Sequence, residues 1–172
     1  FTLFFLGFFL ISSLSLHAAQ IEKAAGRIVS LMGNVNIVHG GTTLSAKPFQ
    51  NLDIGDVITT GANSRVAILL RDESLIKLNS NSQVTIKNVL PIIKPVSTGE
   101  EGKTQIKQDT GEMWVRTKNR PGKMEIDTKS GSAAIRGTEF NISASENKTL
   151  ITLVNGVAEL SNSLGSVLIA QN

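Results

Sequence analysis

Between Leu52 and Ile86 the chain reads LDIGDVITTGANSRVAILLRDESLIKLNSNSQVTI, and this stretch restricts the fold more than any other. It consists of short apolar–polar alternations: Val57 with Thr59, Val66 with Ile68 and Leu70, Ile76 with Leu78, Val84 with Ile86. Turn formers separate them at Gly55-Asp56, Gly61-Ala62-Asn63-Ser64, Asp72-Glu73-Ser74 and Asn79-Ser80-Asn81-Ser82. Alternation bounded by Gly, Asn, Asp and Ser is the pattern of half-buried strands joined by tight turns. Successive strands lie only about eight to ten residues apart, too close for a helical crossover. The expectation is an all-β chain.

The N-terminal nineteen residues, FTLFFLGFFLISSLSLHAA, contain no Asp, Glu, Lys or Arg. Their apolar run Leu3–Leu16 is broken by Ser12, Ser13 and Ser15 and ends in Ala18-Ala19. A membrane-spanning helix needs roughly twenty apolar residues, a signal-peptide core only about seven to fifteen. Residues 1–19 therefore read as a signal peptide, cleaved after Ala18 or Ala19, which leaves no stable transmembrane helix; an uncleaved anchor is the alternative reading. Residues 20–172 form a one-domain length. Five of the seven Phe leave with the segment, so Phe49, Phe140 and Trp114 are the aromatics of the mature chain. Its core must be aliphatic. The chain has no Cys and hence no disulfide. A net charge of +3 is too mild to imply nucleic acid or an anionic membrane.

Along the chain, Gly26–Val38 reads as two short strands around Gly33-Asn34, and Pro48 marks an edge or irregular position. A polar excursion is expected at about 91–108, after which alternation resumes at Gly111–Thr117. A turn at Asn119–Lys123 precedes a strand at Met124–Thr128, and Ala133–Ile142 is a strand with an internal glycine. Asn155-Gly156, between Thr149–Val154 and Val157–Leu160, reads as a hairpin turn. Serial strands at such spacing suggest a sandwich or an elongated solenoid-like stack. Scarce aromatics favour the narrow aliphatic stack.

The blocks Gly55–Gly61, Val66–Leu70, Asp72-Glu73-Ser74, Ile76–Leu78 and Val84–Ile86 resemble the FecR domain family. So do Ala134–Ile142 (AIRGTEFNI) and the later Thr152–Leu160 (TLVNGVAEL), the similarity running roughly from Gly26 to Ile169. The resemblance implies an all-β extracytoplasmic domain, often solenoid-like. In the founding regulators that domain receives a signal from a TonB-dependent outer-membrane transporter and passes it through a membrane helix to a cytoplasmic anti-sigma segment. Here no cytoplasmic segment precedes the apolar run and no second membrane helix follows it, so an exported member without the anti-sigma segment is expected. Glu73 stands where the family usually has Gly, so its turn either avoids positive φ or carries strain.

Nothing resembles an active site. His17 leaves with the signal peptide, and His39, in a Gly-rich turn, reads as solvated. There is no Gly-x-Ser-x-Gly elbow and no His–carboxylate cluster at ligand spacing. Asp53 and Asp56 flank Gly55 and read as turn caps rather than calcium ligands. No catalytic residue, cofactor or metal is expected. Arg116, Lys118, Arg120 and Lys123 form a basic run with too few aromatics for nucleic acid; it reads as a solvated turn, or as a site for an acidic partner. Arg136, between Ile135 and Gly137, reads as a tie between neighbouring turns, or else as part of a docking surface. Trp114 is either the core plug of the second half or an exposed anchor, the core being preferred. The functional expectation is a non-enzymatic exported binding or signal-relay module with a protein partner in the cell envelope. A structural or adhesin-like envelope module is the alternative, and the oligomeric state stays open.

Overall fold

A computed structural model describes residues 24–89, 103–117 and 123–170; the expected signal peptide, the excursion up to residue 102 and the turn through Lys118 and Arg120 lie outside them. All elements of the described residues are strands: β1 Gly26–Met32, β2 Val35–His39, β3 Thr42–Ser45, β4 Asn51–Leu52, β5 Val57–Thr60, β6 Arg65–Leu70, β7 Leu75–Leu78, β8 Gln83–Asn88, β9 Lys103–Arg116, β10 Lys123–Thr128, β11 Gly131–Ala144, β12 Thr149–Asn162 and β13 Gly165–Ala170. The all-β expectation holds. The four strands of the Leu52–Ile86 stretch fall where the alternation puts them.

Their pairing differs from a simple stack. One ladder runs β4-β1-β6-β7, continues through the second half of β9 and the second half of β11, and ends on the first half of β12. The other runs β3-β2-β5-β8, then the first half of β9, β10, the first half of β11, the second half of β12 and β13. In a solenoid each coil touches only its sequence neighbours. Here β1 pairs with β6 and β2 with β5, while β9, β10 and β11 close a ring of mutual pairings, so the ladders join as a small barrel with added strands. Both ladders bury one aliphatic cluster that includes Ile28, Ile58, Ile68, Leu78, Ile86, Ile106, Met113 and Ile126, with Phe140 as its aromatic. Each such fully buried side chain contributes about 1.5–3 kcal/mol.

Three strands of 14 residues each serve both ladders, which corrects two expectations. Strand β9 begins at Lys103, so the last part of the 91–108 excursion is strand, with Thr104, Ile106 and Gln108 pointing inward. Asn155-Gly156 is no hairpin. Strand β12 runs through it, because Gly156 and Asn155 oppose Gly137 and Glu139 where β11 bulges, and both strands bend together there.

The ladders meet at stacked corners held by serine hydroxyls. Ser64, buried, accepts from the Asn34 amide at 2.8 Å and lies over Gly33, which has φ 76°. Ser82, fully buried, repeats the device one level on: its Oγ accepts from the Glu112 amide at 3.0 Å and lies over Gly111, at φ 90°. Thr60 fastens the corner between them, its hydroxyl donating to Asn79 O at 2.6 Å and accepting from the Ser82 amide at 2.9 Å.

The β6–β7 hairpin resolves the question of Glu73. Its amide donates to Leu70 O at 3.0 Å, and the Ser74 amide donates to Asp72 Oδ1 at 2.9 Å. The three-residue loop ends in a left-handed residue, and that residue is Glu73 at φ 67°. A side chain there costs about 1–2 kcal/mol over glycine. Glu73→Gly is expected to be more stable than Glu73→Ala by about 1 kcal/mol, read as a higher denaturant midpoint at unchanged slope.

Candidate partner-docking face

In β9, Met113 and Val115 are fully buried, so the intervening Trp114 points outward. This overturns the expected core plug, and the reason was present in the sequence. Glu112 and Arg116 share the parity of Trp114, and two charged side chains cannot share an apolar face with it. Trp114 is half-buried on the outer surface of the first ladder, opposite Lys77 of β7 on one side and Asn141 of β11 on the other. Lys77 Nζ lies 4.5 Å from the ring centroid and the Arg116 guanidinium carbon 5.7 Å. Both are within cation–π range. The indole Nε1 donates to Glu139 Oε1 at 3.1 Å. The ring is pinned by its neighbours.

One row away, Glu112 accepts from the Asn79 amide side chain at 2.7 Å and from that of Asn141 at 2.6 Å. These two donors, Asn79 first, hold the Glu112 carboxyl below its usual range against a smaller opposing effect of burial. The side chains of this face hold one another in place. Sequence reading missed Lys77, Glu112 and Glu139 because their meeting depends on the pairing of β7, β9 and β11.

The other expected residues fall into three groups. Arg116 is exposed beside Trp114, as a docking role requires. Arg136 is exposed on β11, opposite Val157, with its neighbour Ile135 buried; it stands on the outward face, away from the core cluster. Lys118 and Arg120 lie outside the described residues.

His39 is exposed, as the solvated reading expects, and is also paired. Its Nδ1 lies 2.6 Å from Oδ1 of buried Asp56, whose Oδ2 accepts from the Asp53 amide at 2.9 Å. That second bond is the turn cap expected of the Asp53–Asp56 pair. The hydrogen bond to Asp56, followed by the attraction of its charge, raises the His39 pKa above 6.5. A raised folded-state value stabilises fully below pH 6.5 and loses the contribution as pH rises through the folded value. Accordingly, the gap in melting temperature between the parent and His39→Gln should be larger at pH 5.5 than at pH 9, both conditions being compared for the two proteins.

Among the described residues no group of His, Cys, Asp or Glu could hold a metal ion. No helix of the described residues is long and apolar enough to cross a membrane. A groove of about 480 Å³ lies between the turns that precede β11, β12 and β13, bordered by Ser130, Ser132, Thr149 and Ser161. Its hydroxyls bond one another, nearby backbone and the Asp127 carboxylate.

A family model described as "FecR protein" matches residues 56–159. Among solved structures, the chain resembles two crystal structures of a protein from Parabacteroides distasonis named as a candidate anti-sigma factor. One is 13% identical with a TM-score of 0.54, the other 14% identical with a TM-score of 0.52. In each case the match covers 67% of this chain and 51% of the other, so the chain spans about half the length of those proteins. At this identity the likeness is one of fold. No curated protein matches the chain.

Proposed function

Because the chain belongs to the FecR family, we propose that it is a non-enzymatic exported module that relays or senses a signal through protein contacts in the cell envelope. The observation that carries this reading is Trp114, a large aromatic held on an outward sheet face between Lys77 and Arg116. An aromatic fixed in place loses little entropy on binding, and Trp and Arg are the residue types that dominate protein interfaces. Residues 1–19 direct export in this reading, and the folded strands are what reaches the envelope. The fold relatives named as a candidate anti-sigma factor support a regulatory role.

The test places a photoreactive residue at Thr152, which is exposed on β12 opposite Asn141, and separately at Lys87, exposed on β8 of the second ladder. The chain is produced with its own N-terminal segment in its native cells, and these are irradiated and fractionated. The reading expects a discrete protein adduct from Thr152 in the envelope fraction and none from Lys87. A cytoplasmic chain with residues 1–19 intact, or no adduct at Thr152, would overturn it.

A further inference from the structure

Among the described residues most cations of the second ladder are paired while those on the outward face of the first are not, exposed Lys87 of β8 being the second ladder's exception. On the second ladder and its turns, Lys103 pairs with Glu125 at 2.6 Å, Lys107 with Asp109 at 2.7 Å, and Lys129 with Glu146. On the outward face of the first ladder stand Arg27 of β1, Arg65 of β6, Lys77 of β7 and Arg116 of β9, all exposed. Among the described residues none of these four forms an ion pair. The two carboxylates of this face are already occupied by neutral donors: Glu112 by Asn79 and Asn141, Glu139 by the Trp114 indole.

The register places the four cations close together. Lys77 is directly opposite Trp114, Ala67 lies beyond Lys77, and Arg27 stands in the row that runs through Leu69, Leu75 and Arg116. Adjacent strands are about 4.8 Å apart, so the cations span four neighbouring strands within roughly 15 Å, about two Debye lengths at physiological salt, and immediate neighbours lie within about one. Their fields add, and Trp114 sits among them as an apolar contact point.

We propose that this face docks an acidic polypeptide segment, whose carboxylates pair with Arg27, Arg65, Lys77 and Arg116 while an apolar side chain packs on Trp114. Two features favour a polypeptide over a lipid surface or a nucleic acid. Glu112 and Glu139 are fixed between the cations, and a uniformly anionic bilayer or phosphate backbone would meet both. A polypeptide can set a donor or an apolar group at those points and carboxylates elsewhere. The inference rests on the docking role proposed above and names the chemistry of its partner.

The purified mature chain is titrated into a labelled peptide of alternating Glu and Val, its Lys-for-Glu counterpart, vesicles containing phosphatidylglycerol, and a DNA duplex, with polarisation or co-sedimentation as readout. The acidic peptide alone is expected to bind, with an affinity that falls as salt is raised. The double variant Lys77→Glu/Arg116→Glu should weaken it at least about tenfold, and Lys77→Gln/Arg116→Gln by less, circular dichroism confirming that both fold. Lys103→Glu/Lys107→Glu should leave it unchanged. Equal loss in that control, or binding to vesicles or DNA in preference to the peptide, would overturn the proposal. An undiminished Thr152 adduct in Lys77→Glu/Arg116→Glu would leave the docking role standing and remove the acidic partner.

Discussion

Gly111→Ala is expected to cost about 2–5 kcal/mol, because two independent penalties fall on one methyl group. At φ 90° an L side chain is strained, which costs about 1–2 kcal/mol. The new Cβ would also stand 2.2 Å from Ser82 Oγ and 2.4 Å from Ser82 Cα. The hydroxyl could rotate away, but the Cα is backbone, and moving it disturbs the bonds that Ser82 makes to Thr60 and Glu112. Overpacking of this kind adds about 1–3 kcal/mol. For a chain of this length the sum lowers the melting temperature by roughly 4–20 °C. Gly40→Ala is the control. Its φ is 55° but nothing lies within 4 Å of the added atom, so the strain alone should be seen. Equal losses at the two glycines would show that the corner stack is not tightly packed.

Phe140→Ala is the second large effect, expected at about 3–5 kcal/mol. Phe140 is fully buried, paired with Val115 on one side and Leu153 on the other, where β11 has just passed between ladders. Its aliphatic neighbours cannot collapse into the space without moving two strands, so much of the cavity would persist. A loss of that size is a large part of the roughly 5–15 kcal/mol that holds a domain folded. Phe49→Ala, at a residue 73% exposed, should stay within about 0.5 kcal/mol. Denaturant unfolding of the two variants separates core from surface directly.

What could be read from the sequence depended on how local its cause was. The strands from Val57 to Ile86 were legible because their boundaries are set by nearby turn residues, including Asn63 and Asn81, both left-handed. The first half of β9 was hidden because two of its inward positions are polar. Thr104 and Gln108 are buried, and Gln108 Nε2 donates to Gly111 O at 2.9 Å and Ile142 O at 3.3 Å, contacts that no periodicity announces. Asn155-Gly156 carried a strong local turn signal, but its pairing with the bulge in β11 prevailed. His39 and Asp56 are 17 residues apart and meet through the β2–β5 ladder. The candidate face was half legible. Trp114, Arg116 and Arg136 were singled out from composition, and the parity of Glu112 and Arg116 could have turned Trp114 outward. The meeting of Lys77 and Glu139 with Trp114 needed the ladder itself.

The central claim is that the Trp114 face serves contact rather than folding. It is tested most directly by Trp114→Ala in the chain carrying the photoreactive residue at Thr152, with melting temperature and adduct yield measured on the same preparations. The account predicts a melting temperature within a few degrees of the parent, since a half-exposed ring held by two cation–π contacts contributes only about 1–2 kcal/mol, together with loss of the adduct. A full adduct yield from the folded variant would contradict it.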